Sequence, residues 1–116
     1  MIFKRYDTSV NWFVFILVNG TYERFEGLNT TSAATSISYF GATSDTITWS
    51  GTTADFNGNG NLYLMYCFHS VTNFCHIGSY TGNRPTDVQV PVPFQPTWVM
   101  IKDSDTEKDR DWETIH

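Results

Sequence analysis

Residues 10–18 read VNWFVFILV, the most apolar run in the chain. Aromatic and β-branched side chains dominate it, and those residue types favour the extended backbone. At nine residues it is well short of the ~20 that a membrane-spanning helix needs. The core of a signal peptide is the rival interpretation. Lys4 and Arg5 precede the run, and Val18-Asn19-Gly20 loosely fits a small-residue cleavage site. Asp7 in the would-be positive region and the density of Trp, Phe and Val favour a buried strand instead.

Working outward, no segment sustains apolar positions at i, i+3, i+4 and i+7 over three turns, so long helices are not expected. Strands are expected at residues 1–6, 11–18, 21–25, 35–40 and 46–50, with Ser, Thr, Asp and Gly clusters between them. Asn57-Gly58-Asn59-Gly60-Asn61 is a strong turn or hairpin loop, because Asn and Gly tolerate positive φ. Residues 62–69 (LYLMYCFH) then read as a central strand buried on both faces. Further strands are expected at 74–80 and 98–102. Residues 88–92 alternate until Pro91 and Pro93, which confine them to an edge or a connection. About eight short strands predict an all-β fold, an antiparallel β-sandwich or a jelly-roll-like arrangement. One such domain is expected over 1–102, followed by an acidic C-terminal segment over 103–116.

The composition agrees. Nineteen aromatic residues in 116 are enough to fill a core. Charged residues make up 16%, against a usual ~25%, while Ser and Thr number 25. A surface of hydroxyls and amides is common in extracellular and virion β-proteins. The formal charge of −5 argues against a nucleic-acid binder, which normally carries a basic patch. That charge is local: residues 103–113 hold six acids against Lys108 and Arg110, leaving the body nearly neutral. The segment reads as a solvated loop or tail. Counted from Asp103, the calcium-loop positions that want Gly and Glu hold Lys108 and Thr114, so an EF-hand is excluded.

Cys67, His69, Cys75 and His76 invite a zinc interpretation, but they lack metal-site spacing, and no metal or other cofactor is expected. If Ser70-Val71-Thr72 turns a hairpin, Cys67 faces Cys75, which allows either a disulfide or two packed thiols, the thiols being commoner. There is no nucleophile elbow. His69 is beside Ser70 but points away from it on a strand, and Asp45 and Asp55 sit among turn residues where capping is the usual role. No enzyme is expected. Sugar binding is the more credible molecular activity: Trp12, Trp49, Tyr80 and Trp98 are the candidate stacking surfaces for a glycan or a protein partner. Asn19-Gly20-Thr21 and Asn29-Thr30-Thr31 are glycosylation sequons, meaningful only in a eukaryotic secreted setting.

The chain also echoes itself. Met1-Ile2-Phe3-Lys4 with Asp7-Thr8 and Trp12 matches Val99-Met100-Ile101-Lys102 with Asp105-Thr106 and Trp112, the second copy carrying two more residues between Lys and Trp. A unit of about 98 residues that begins again near the C-terminus would account for this.

Three blocks complete the sequence picture: Tyr66-Cys67-Phe68-His69-Ser70-Val71, then Ile77-Gly78-Ser79-Tyr80-Thr81-Gly82-Asn83, then Phe94-Gln95-Pro96-Thr97-Trp98-Val99-Met100-Ile101-Lys102. Their order and spacing resemble a repeated domain of bacteriophage tail-fibre-like and other virion structural proteins from marine and environmental phages. Ile2-Phe3-Lys4, Asp7 and Trp12 resemble the same element from a preceding copy. Pro93, Arg84 and Cys75 depart from the family pattern and affect local turns. The resemblance implies a virion location and a non-enzymatic structural or adhesive role, as a tail-fibre or receptor-binding element or a capsid decoration. The implied partners are other virion proteins, further copies of the chain and possible host-surface glycans, with neither nucleic acid nor membrane insertion involved. A carbohydrate-binding module is the alternative. The pattern recurs in tandem in that family, which fits the 98-residue echo.

Overall fold

The computed structural model describes residues 1–18, 20–28, 30–51, 54–105 and 110–116. Asn19 and Asn29 of the two sequons, and residues 106–109 of the acidic segment, lie outside that set. The protein is all-β and antiparallel, with nine short strands and one helical turn among the described residues. In chain order these are β1 (Ile2–Arg5), β2 (Phe13–Val18), β3 (Thr21–Phe25), β4 (Thr35–Ile37), β5 (Phe40–Ala42), β6 (Ile47–Trp49), α1 (Ala54–Asn57), β7 (Tyr63–Tyr66), β8 (Val99–Ile101) and β9 (Glu113–Ile115).

The apolar run at 10–18 is a strand, and it is the centre of the molecule. β2 lies in the middle of a five-stranded sheet of order β4-β3-β2-β1-β7, with Phe13, Val14 and Phe15 all buried. Alternation along the pleat sends Phe13 and Phe15 to one face and Val14 to the other. On the first face, Phe3 opposite Phe13, together with Phe15, meets Phe40 and Trp49 of the β5–β6 hairpin and Phe56 of α1. The rings pack edge to face or tilted: Phe15 to Trp49 at 5.1 Å, Phe15 to Phe40 at 5.3 Å, Phe13 to Phe56 at 4.7 Å. On the second face, Val14 stands opposite the buried Phe25, whose ring meets Trp112 at 5.4 Å. The Trp112 indole N–H donates to Gly27 O at 3.1 Å. The central sheet is therefore covered on both sides, which is the sandwich-like arrangement the sequence predicts.

Local chemistry explains the connections. Gly20, with φ of 82°, takes the left-handed backbone that the β2–β3 turn requires. In Thr43-Ser44-Asp45-Thr46, the Asp45 carboxylate accepts hydrogen bonds from the hydroxyls of Thr43 at 2.9 Å and Thr46 at 3.1 Å, which closes the β5–β6 hairpin. Asp45 is thus a turn residue. The Asn-Gly run at 57–61 joins α1 to β7. There Tyr63 Oη donates to Ala54 O at 2.8 Å and accepts the Gly58 N–H at 2.8 Å, fixing the helical turn against the sheet.

Three expectations need correction. Residues 62–69 are not a central strand. β7 covers only Tyr63–Tyr66 and forms the sheet edge, with Leu64, Met65 and Tyr66 exposed. Unbroken apolar character marks surface to be covered, and among the described residues Trp12 partly shields Tyr66 and the core takes Tyr63 while Leu64 and Met65 stay exposed. Residues 74–80 are not a strand, while 88–92 form a connection, one of the two roles their prolines leave open. Without a partner to share their backbone hydrogen bonds they run irregularly, and Pro85, Pro91 and Pro93 withhold donors. Cys75 does not face Cys67: a tight turn with Asn73 at φ 60° pairs Val71 with Cys75, and both thiols are free. The stretch from 67 to 98 is largely exposed, and the radius of gyration is 15.4 Å, against roughly 13 Å for a compact chain of this length. The C-terminal region is not wholly a tail, since β9 pairs with β8 across the 102/103 boundary.

Phe15 is 2% exposed at the middle of the aromatic core. Phe15→Ala and Trp49→Ala are each expected to lower the unfolding free energy by about 3–5 kcal/mol. Trp98→Ala is expected to change it by less than about 0.5 kcal/mol, since that ring is 59% exposed. Urea unfolding followed by circular dichroism measures all three.

Candidate functional site

The four aromatic residues singled out by sequence do not form one platform. Trp49 belongs to the core, its ring parallel to that of Phe56 at 5.4 Å and tilted on Phe3 at 5.2 Å. It therefore presents no open stacking face. Trp12 enters β2 half-buried, stacks on Tyr66 at 6.4 Å, and accepts the Leu28 N–H on its carbonyl at 3.2 Å. Tyr80 and Trp98 are 51% and 59% exposed, and no ring contact joins any two of the four among the described residues. Only Tyr80 and Trp98 are thus placed to meet a ligand.

The sequence already shows that the runs 10–18 and 62–68 hold more apolar surface than one small sandwich must bury; what it leaves unread is how far that exposure continues, to residue 98. Sixteen large hydrophobic side chains are exposed, and thirteen of them lie between residues 62 and 98. Scattered exposed apolar residues are ordinary, but a concentration of this kind marks an interaction surface. Phe74, 80% exposed, is the extreme case.

Part of this surface bounds an open cleft of about 1080 Å³. Phe15 and Phe40 form its floor, Met65, Phe68 and Ile77 one wall, and Asp45 part of its rim. Such a space admits an apolar side chain or a sugar ring with one charged group at the edge. Hydrogen bonds from Thr43 and Thr46 hold the Asp45 carboxyl below its ordinary pKa, so the rim charge is retained to lower pH. His69 also borders the cleft, and its Nδ1 donates to Ser70 O at 2.9 Å. Among the described residues no three His, Cys, Asp or Glu side chains are grouped to hold a metal ion, and no helix is long and apolar enough to cross a membrane.

A smaller hollow of about 370 Å³ lies beside the β8–β9 hairpin, lined by Asp103, Asp111, Glu113 and Arg110 among others. Arg110 pairs with Asp103 at 3.3 Å, and the Lys102 ammonium donates to Thr31 O at 3.0 Å, tying this hairpin to the body.

The model of a family described as Domain of unknown function (DUF7483) matches residues 1–115. The chain belongs to this family. The match runs from β1 through β9, so the family unit takes in the aromatic core, the exposed stretch and the C-terminal hairpin alike. No curated protein and no solved structure matches the chain.

The Asp45 hydrogen bonds fix a sign. A carboxyl whose folded pKa is depressed contributes stability at pH above its unfolded value of ~3.9, and that contribution is lost as pH falls through the folded value. The carboxyl resonance of Asp45, followed by NMR, is expected to titrate below ~3.9 and to move upward in Thr43→Val. An unchanged midpoint in that variant would show that the hydroxyl contributes nothing.

Proposed function

We propose that this protein is a non-enzymatic structural component of a bacteriophage particle, a tail-fibre or receptor-binding element or a capsid decoration, working through repeated protein–protein contacts. The observation that carries this reading is the apolar surface between residues 62 and 98. Leu64, Met65, Phe68 and Phe74 are exposed at a density that water disfavours and a neighbouring subunit would cover. The sequence blocks around Tyr66, Tyr80 and Trp98 support the virion assignment by their resemblance to phage structural domains. The low-charge body, rich in Ser and Thr, suits an extracellular particle. Many weak single-site contacts, arrayed on a lattice or fibre, combine into firm attachment through high effective concentration. Homo-oligomerisation and contact with other virion proteins follow from the same surface.

A second reading, a carbohydrate-binding module, is favoured by the exposed rings of Tyr80 and Trp98, which offer flat faces to a pyranose. A glycan array read with the wild type and Trp98→Ala tests it. Binding lost in the variant supports a sugar platform, and an array with no binder removes it.

For the principal reading, the wild-type chain is expected to self-associate at micromolar concentration in sedimentation equilibrium. Phe74→Asp is expected to weaken that association at least tenfold, about 1.4 kcal/mol, with an unchanged circular dichroism spectrum. Gold-labelled antibody to the chain is expected to decorate purified phage particles from cultures that produce it. A stable monomer together with unlabelled particles would overturn the proposal.

A further inference from the structure

The C-terminal hairpin repeats the first one in three dimensions. Aligned on Lys4 with Lys102 and on Trp12 with Trp112, the strand registers coincide. Phe3 faces Phe13 and Ile2 faces Val14 in β1–β2, while Ile101 faces Glu113 and Met100 faces Thr114 in β8–β9. The lysines act alike as well. Lys4 Nζ donates to the carbonyl of Val10, and Lys102 Nζ to that of Arg110, in each case the residue two before the tryptophan. The echo in the sequence is thus a repeated structural element, with a longer loop in the second copy.

The two hairpins differ in what flanks them. β1–β2 sits inside the five-stranded sheet, with β7 on the outer edge of β1 and β3 on the outer edge of β2. Among the described residues β8–β9 is a sheet of two strands, and both its outer edges lack a partner. The first hairpin therefore shows what kind of strand fits the open edge of β8: one like β7. The structure holds a candidate for that role, because β7 is itself the edge of the large sheet and its own outer side is open.

Of the six edge strands among the described residues, β5 (FGA) and β6 (ITW) commit Phe40 and Trp49 to the core, and side chains separate the other four into two kinds. β4 (TSI) and β9 (ETI) are largely polar or charged, which discourages strand addition. β7 (YLMY) and β8 (VMI) are apolar throughout. Replacement of β1–β2 in one copy by β8–β9 of another is disfavoured, since Glu113 would take the place of the buried Phe13. Edge addition needs no such burial.

We propose that the outer edge of β7 in one copy of this chain pairs with the outer edge of β8 in a second copy, joining molecules head to tail through one continuous sheet. The inference rests on the self-association proposed above and names the surfaces that carry it. The contact is heterologous, so a joined pair keeps one free β8 on one copy and one free β7 on the other, and copies add into a ring or a filament. Main-chain hydrogen bonds supply the joint, as in other strand-addition interfaces.

The hydrogen-bond phase identifies which residues to change. Met1 exchanges backbone bonds with Phe15, at 2.8 and 2.9 Å, so the backbone groups of Ile2 point the other way, toward β7. Met100 occupies the place of Ile2 in β8, and this correspondence of register assigns its N–H to the open edge. Tyr6 N donates to Leu62 O at 3.1 Å, so the even-numbered residues of β7 serve β1, and Met65 N–H points outward. Proline is tolerated at an edge position whose N–H faces solvent, and it removes the donor that strand addition needs. Met65→Pro blocks the β7 edge alone, and Met100→Pro the β8 edge alone.

Sedimentation equilibrium decides the matter. The wild type is expected to show a mass above 13.3 kDa that rises with concentration, and each proline variant to stay at 13.3 kDa. An equimolar mixture of the two variants is expected to reach twice that mass and no more, because one intact β7 and one intact β8 remain between them. Association of either variant alone overturns the proposed joint while leaving multivalent assembly standing. A monomeric wild type overturns both. A mixture that stays monomeric while both variants retain the wild-type circular dichroism spectrum overturns the head-to-tail pairing. Should a proline variant unfold, Met65→Lys and Met100→Lys repeat the experiment by placing charge on each edge with every backbone donor kept, and the same outcomes apply.

Discussion

The side chain of Phe15 touches the rings of Phe3, Phe40, Trp49 and Phe56, drawn from β1, β5, β6 and α1. Four separate elements are held by their contact with one strand. The geometry follows from the quadrupoles of the rings, which favour edge-to-face and tilted packing, and each such pair adds ~0.5–1.5 kcal/mol beyond the area it buries. A chain of this size has little apolar surface to spare, and it spends most of its fully buried residues on this cluster. The five-stranded sheet, the β5–β6 hairpin and the turn of α1 hold their relative positions because these rings interlock.

Concentrating the core in this way leaves a second population of apolar residues without cover. From Leu62 to Trp98 the chain carries Leu, Met, Tyr, Phe and Val side chains at a density suited to an interior, yet it lies along the outside of the sheet. The physical contradiction disappears if another polypeptide provides the missing layer. The same holds for β8–β9, a hairpin that repeats the register of β1–β2 but lacks the strands that flank it. Both features direct attention to assembly rather than to a catalytic cleft.

The legibility of the fold varied by element for physical reasons. β2 was readable because VNWFVFILV admits no amphipathic helix and is too short for a membrane span. Asp45 was readable as a turn residue because its Ser and Thr neighbours offer local hydrogen bonds. β7 was misread, since a strand that is apolar on both faces looks the same whether its own chain or a partner buries it. Residues 74–80 and 88–92 have strand-forming side chains but no partner strand, and propensity alone does not make a strand. Trp49 was a reasonable ligand platform by type, and only its position in β6, facing Phe15 and Phe56, places it in the core. Of the candidate site, Tyr80 and Trp98 were legible as exposed aromatics, whereas the cleft floored by Phe15 and Phe40 depends on elements distant in sequence.

The sequence by itself determined an antiparallel all-β chain with an aromatic core, a nearly neutral body and an acidic segment near its C-terminus. These are properties of residue type and spacing, which act locally. It also carried the echo between Lys4 and Lys102. Tertiary structure alone decided which apolar run became the centre of the sheet and which was left at its edge, and it converted the echo into two hairpins of identical register. Burial and strand pairing depend on which segments meet, and local pattern does not encode the meeting. Among the described residues, Asp103, Asp111 and Glu113 of the acidic segment thus belong to a hairpin anchored by Trp112 and Lys102, whose β8 edge is open.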